Sequence, residues 1–262
     1  MFPLKDSIRI PSAPLAIYLI ILINAIVFLY QESLSNAAAR AFLLEYALVP
    51  RRYFDPAWAH LEGLNPHDYL PFIAGTFMHG GWWHIILNMW TLFIFGASLE
   101  GRMGRPGFLS FYLACGVIAS FAHAYFNMES AVPALGASGA IAGVLGAYAI
   151  TFPRAKVTIL ILIVIIPLFF KIPALGYALI WFGFQFLEGF VHLASPGMGS
   201  GIAWWAHIGG FAAGMFLISF WPLGPDRTYD EEQLRYSGGW PVPGGYPPRG
   251  EDSEGWKRGP WG

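Results

Sequence analysis

Gly136-Ala137-Ser138-Gly139-Ala140-Ile141-Ala142-Gly143-Val144-Leu145-Gly146 decides how this chain is read. The stretch is uncharged and apolar apart from one hydroxyl. Its glycines at 139 and 143 fall on one face of a helix and strip that face of side-chain bulk. Such a face lets a second helix approach to backbone contact, so a matching face is expected elsewhere. It occurs in Ala206-His207-Ile208-Gly209-Gly210-Phe211-Ala212-Ala213-Gly214, where Gly210 and Gly214 follow His207 on one helical face. Packing the two faces together brings Ser138 and His207 within hydrogen-bond reach. In that arrangement an imidazole can take the proton from an otherwise weak hydroxyl nucleophile.

Around these stretches the composition is that of a membrane protein. Of 262 residues, 56% are apolar, 17% aromatic and 12% charged, against about 25% charged in soluble domains. Lys+Arg 15 against Asp+Glu 16 leaves a formal charge of -1, with no basic field for nucleic acid. The single cysteine, Cys115, excludes an internal disulfide and any cysteine-pair metal site. Nothing gives His60 and His67 of the first external loop metal-ligand spacing, and a zinc site would need a tighter constellation, so neither metal nor cofactor is expected.

Apolar stretches at 13–30, 83–99, 106–126, 133–152, 173–193 and 203–222 are long enough to cross about 30 Å of hydrocarbon. The run 157–170 is shorter, contains Pro167 and is bounded by Lys156 and Lys171, so it reads as an interfacial or re-entrant piece. The expected architecture is an all-α polytopic membrane protein, a bundle of six transmembrane helices (13–222) with a long structured first external loop, 31–82. Residues 1–12 form a cytoplasmic segment, and 223–262 a flexible cytoplasmic tail rich in Gly and Pro. With the N-terminus inside, Lys5, Arg9, Arg102, Arg105, Arg154, Lys156 and Lys171 fall on the cytoplasmic side. The misfits are Arg40, Arg51 and Arg52 in the first external loop.

Spans two, four and six then carry their polar residues at one depth, near the external face: His84 and Asn88, Ser138, and His207. Polar groups at such positions need partners or a cavity. His84 and Asn88 share one helical face and supply donors for an oxyanion. Ser138, near a helix start, adds unbonded backbone N–H groups. His79 is a supporting candidate, and Glu188 near the external end of the fifth span borders the site or faces the interface. No Asp lies in any span, so a Ser-His dyad is the expected machinery. The Gly-rich run Ser195–Gly201 above His207 is expected to be a mobile cap.

The run His79-Gly80-Gly81-Trp82-Trp83-His84-Ile85-Ile86-Leu87-Asn88, the Gly136-Ala137-Ser138-Gly139 motif and Ala206-His207-Ile208-Gly209-Gly210 with Gly214 resemble the rhomboid intramembrane serine proteases. Glu100-Gly101-Arg102, at the cytoplasmic end of the second span, resembles a further family motif, with Glu100 and Arg102 expected to be structural. The resemblance covers residues 13–222. It implies a six-helix protease that cuts transmembrane segments of other membrane proteins through an acyl-enzyme. Ser138 would be the nucleophile, His207 the general base, and His84, Asn88 and the Ser138 N–H the oxyanion hole. Gly136 and Gly139 would support the site, and Gly143, Gly210 and Gly214 the helix packing. Substrate helices would enter laterally between the second and fifth spans.

The chain departs from some relatives at Ala142, where they carry an aromatic residue that stacks on the histidine. The rival implication is a catalytically silent rhomboid-like protein that binds membrane helices for quality control. By analogy the expected location is a bacterial cytoplasmic membrane, with both termini cytoplasmic, the site facing outward and the lipid bilayer as surroundings.

Overall fold

The computed structural model describes residues 2–9, 12–163, 165–194, 203–224 and 229–230. The elements run β1 (Phe2–Lys5), β2 (Ile8–Arg9), α1 (Leu15–Ser33), α2 (Asn36–Tyr46), α3 (Arg51–Phe54), α4 (Pro56–Leu61) and α5 (Pro71–Ala74). After a short 3-10 turn (Gly75–Phe77) come α6 (Trp82–Phe126), α7 (Ser138–Thr151), β3 (Lys156–Ile163), β4 (Ile166–Pro173), α8 (Ala174–Ala194), α9 (Trp204–Ile218) and β5 (Tyr229–Asp230).

Helices α1 and α6 are each long and apolar enough to cross a membrane. α6 is two helices in tandem, broken at Gly104, whose φ of 71° and ψ of 164° are non-helical. Pro106 follows and removes a backbone donor. A Cβ on Gly96 would meet the Phe108 ring at 3.1 Å, so the two halves fold back on each other, as the separate stretches 83–99 and 106–126 require. Glu100 closes this end of the bundle. Its two carboxylate oxygens accept from the backbone N–H groups of Ala16 (3.1 Å) and Ile17 (2.9 Å). Those are unpaired donors of the α1 N-terminus, where a negative charge is favoured.

α7 occupies the centre, with every residue from Gly139 through Ala149 buried. Its glycine face meets that of α9 as the sequence requires. A Cβ on Gly210 would collide with the Gly139 carbonyl oxygen, and one on Gly214 with the Gly143 carbonyl. A Cβ on Gly143 would also strike Cys115 Sγ of α6 at 2.6 Å, so three helices meet at backbone distance.

Two expectations are corrected, the all-α class and a helix over the whole of 133–152. The run 157–170, expected as an interfacial or re-entrant piece, builds the antiparallel hairpin β3–β4, which β1 extends to the sheet β1-β3-β4. The fold is therefore helical with a small sheet, not all-α. The residues explain this, since Val157, Thr158, Ile159, Ile161 and Ile163 are β-branched, and Pro167 bars a helix. The segment 1–12 contributes β1 and β2. The stretch 133–152 becomes helical only at Ser138, after Pro133 and Gly136 (φ 129°). The tail is described only at Leu223-Gly224 and at Tyr229–Asp230, which pairs with Ile8–Arg9; the rest lies outside the described residues.

The first loop has its own interior. Arg52, fully buried, donates to the carbonyls of Asn65 (2.8 Å) and Glu45 (3.0 Å) and to Asp68 Oδ2 (3.1 Å). Arg51 pairs with Asp55 at 2.8 Å. These arginines serve loop structure, which accounts for their misfit with the charge pattern. Leu48 and Ala134 exchange two backbone bonds, 3.0 and 2.8 Å, tying the loop to the segment that leads into Ser138.

Asp6, between β1 and β2, accepts from Tyr148 Oη (2.7 Å) and Ser98 Oγ (2.9 Å). Burial raises its pKa to about 6, against the lowering effect of those two bonds and of Arg9. Because the folded-state pKa lies above the unfolded 3.8, the stability contribution is complete below the lower value and lost as pH rises through the upper one. The stability of wild type relative to Asp6→Asn, read from paired thermal melts, should therefore fall as pH rises from about 4 to 6, whatever slope the depressed histidines impose on both proteins. A variant with the wild-type slope would sink this assignment.

Candidate active site

Ser138 is the first residue of α7 and His207 the fourth of α9. The interlocked glycine faces bring them together, with His207 Nε2 2.7 Å from Ser138 Oγ. On the other side of the ring, His207 Nδ1 lies 2.5 Å from Gln185 Oε1 of α8. An amide oxygen can only accept, so Nδ1 carries the proton, and Nε2 is left as the acceptor facing the hydroxyl. Trp181, one turn earlier on α8, sets its ring 5.8 Å from that of His207 at 45°. Together Gln185 and Trp181 hold the imidazole that Ala142 does not touch with an aromatic ring.

Gln185 is the functional candidate that the sequence reading missed. Its only signal was an uncharged polar side chain at i+4 from a tryptophan in an otherwise apolar stretch. The sequence points instead to Glu188, whose side chain, like the whole of Ser195–Gly201, lies outside the described residues.

A cavity of 560 Å³ opens beside the pair, lined among others by His84, Asn88, Trp181, Gln185, Ser138 and His207. Asn88 is 8% exposed, and among the described residues its Nδ2 has no hydrogen-bond partner. A buried, unpaired amide donor is rare, and here it borders the cavity that holds the hydroxyl. His84 Nδ1 accepts from the Gly80 N–H at 3.4 Å, which assigns the ring proton to Nε2. That nitrogen lies against Gly136, where a Cβ would come within 2.8 Å of it and 3.6 Å of Ser138 Oγ. Gly136 thus keeps open the gap between His84 and Ser138. No side chain caps α7, whose leading N–H groups have no partner within the helix.

His79 stands behind this row. Its ring centroid is 5.0 Å from that of His84. Its backbone is clamped by the Gln31 amide, which accepts from the His79 N–H (3.1 Å) and donates to the His79 carbonyl (3.2 Å). Burial, followed by the neighbouring His84, pushes its pKa down to about 3. The ring is thereby kept neutral near pH 7.

The arrangement contains a hydroxyl beside a correctly tautomerised base, with donors across a cavity. Comparison with known proteins gives the family of the chain. The family described as Rhomboid domain matches residues 66–221, from the second part of the first loop through α9. Presenilin-associated rhomboid-like protein A, mitochondrial, of Danio rerio is 32% identical over 182 residues, 67% of this chain and 45% of that protein. Rhomboid protein 1, mitochondrial, of Saccharomyces cerevisiae is 30% identical over 151 residues, 51% of this chain and 40% of that protein. Putative rhomboid protease YdcA of Bacillus subtilis is 30% identical over 86 residues, 33% of this chain and 43% of that protein. The chain thus spans less than half the length of each of these relatives. The paired glycine faces, the Ser138 and His207 geometry and the family match agree: this chain is a helical, polytopic membrane protein of the rhomboid family.

Proposed function

We propose that the protein is an intramembrane serine endopeptidase that hydrolyses peptide bonds in or near transmembrane segments of other membrane proteins. The observation that carries this reading is the continuous relay from Gln185 Oε1 through His207 to Ser138 Oγ. His207 Nε2 takes the hydroxyl proton as Oγ attacks the scissile carbonyl, then returns it to the leaving amine. The oxyanion accepts from Asn88 Nδ2, from His84 Nε2–H and from the Ser138 N–H. Water then hydrolyses the acyl-enzyme, with His207 again as base.

The six apolar helices α1, the two halves of α6, α7, α8 and α9 all cross the bilayer in this reading. The termini are cytoplasmic and the Ser138 end faces outward. Of the three relatives above, two are mitochondrial by name and one is from a bacterium, so they do not assign the membrane, and the expected bacterial location stands unsupported.

Treatment with a fluorophosphonate followed by peptide mapping tests the chemistry without a substrate. An adduct on Ser138, lost in His207→Ala, is expected. A protein that stays unlabelled while folded would favour the helix-binding reading instead.

Gln185 acts through His207 as a positioning residue. Gln185→Leu removes the acceptor for Nδ1–H and frees the ring to turn, and a misplacement of about 1 Å costs on the order of 10²-fold. The expected result is a kcat lower by about 10- to 100-fold with KM unchanged, and recovery in Gln185→Glu, which restores an acceptor. Equal losses in both variants would refute the positioning role.

A further inference from the structure

The 560 Å³ cavity beside Ser138 runs well past the groups that do the chemistry. Its α6 wall is formed by His84, Leu87, Asn88 and Thr91. Its α7 wall is formed by Ser138, Ile141, Ala142 and Leu145. Both sets are spaced i, i+3, i+4 and i+7, so each is one helical face read from the helix start. The two faces start level, because His84 Nε2 lies against Gly136, two residues before Ser138. Seven residues at about 1.5 Å each then carry both walls about 10 Å beyond the nucleophile. Trp181 and Gln185 of α8 close a further side.

The polar groups stop near the top of this slot. Past Asn88 and Ser138 its walls are Thr91, Ile141, Ala142 and Leu145. The Thr91 hydroxyl is already donated to the Leu87 carbonyl at 2.8 Å, so it asks nothing of an occupant. Ala142 contributes only a methyl midway between Ser138 and Leu145, and nothing interrupts the slot there. No Lys, Arg, Asp or Glu lines the cavity among the described residues. The lower part is therefore a narrow apolar compartment, opening directly under the hydroxyl that attacks.

We propose that this slot receives the side chain of the residue whose carbonyl Ser138 attacks, and that it selects a long apolar one: leucine, methionine or phenylalanine. The inference rests on the proteolytic reading and goes beyond it by naming the residue after which the substrate is cut. The Cα of that residue is bonded to the carbon under attack. With the carbonyl oxygen turned to Asn88 and His84, its side chain starts at the mouth of the slot. A long apolar side chain then leaves water along the length of Ile141, Ala142 and Leu145. Glycine or alanine leaves that length empty, or filled by water that finds few polar partners. A charged side chain would be buried there without a counter-ion. In an apolar pocket even one methylene discriminates by about 10- to 200-fold.

Two peptidyl diphenyl phosphonates with the same leader, one bearing an alanine and one a phenylalanine side chain next to phosphorus, test it on the full chain in detergent micelles. Such reagents modify a serine nucleophile and carry no residue on the leaving side. The rate of Ser138 modification, followed by peptide mapping, is expected to be greater for the phenylalanine reagent by about 10-fold or more. In Ala142→Phe the new ring fills the slot, and the ratio should fall to about one or below. Leu145→Phe shortens the slot from its far end and should lower the ratio as well, which keeps the test open where the first variant does not fold. Equal rates in wild type, or a faster alanine reagent, would overturn the proposal while leaving Ser138 as nucleophile. A ratio that the folded variants keep would overturn the placement of the side chain in this slot. Absence of Ser138 modification by either reagent would overturn the proteolytic reading and the proposal with it.

Discussion

His207→Ala is expected to lower kcat for cleavage of a membrane-embedded substrate by about 10⁴-fold or more. The imidazole is the only base within reach of Ser138 Oγ among the described residues, at 2.7 Å. Without it the hydroxyl attacks at its own poor nucleophilicity. The remaining rate would come from the oxyanion donors and substrate binding alone, since members of such a unit fail together and not additively. The fold should tolerate the change, because the α7 and α9 contact is made by Gly139, Gly143, Gly210 and Gly214 and not by the ring. Kinetics beside a thermal melt check this: kcat should collapse while the melt stays close to wild type.

Asn88→Ala is expected to cost about 10²- to 10³-fold in kcat. The Nδ2 group is buried and without a partner among the described residues, so it donates to nothing in the resting site. A donor that gains its bond only as charge develops on the substrate lowers the barrier without tightening ground-state binding. KM should therefore hold while kcat falls. A rise in KM with kcat intact would show that Asn88 holds the substrate and not the oxyanion. Stability should stay level or rise slightly, because the substitution removes an unsatisfied buried donor.

The site was legible in the sequence where chemistry and spacing coincide. Glycines at 139 and 143 and at 210 and 214 specify a backbone-to-backbone contact whichever way the bundle is drawn, and that contact fixes Ser138 against His207. Gln185 was not legible, because α8 is apolar nearly all round and no periodicity says which face turns inward. The sheet was missed for a related reason. A continuous apolar run gives the same signal for a buried strand as for a membrane piece, and here length and flanking lysines point to the membrane while the β-branched residues point to the strand. Arg52 illustrates a third limit: a charge rule counts arginines by side, whereas this one is consumed by Asn65, Glu45 and Asp68 within the loop. The break in α6 did follow from residues, since Gly104 and Pro106 punctuate the helix between two apolar stretches.

The most direct test of the account is cleavage of a single-span substrate by the purified protein in liposomes, comparing wild type with Ser138→Ala. Wild type should release two fragments, and Ser138→Ala, still folded, should release none. Cleavage that survives in Ser138→Ala would contradict the mechanism.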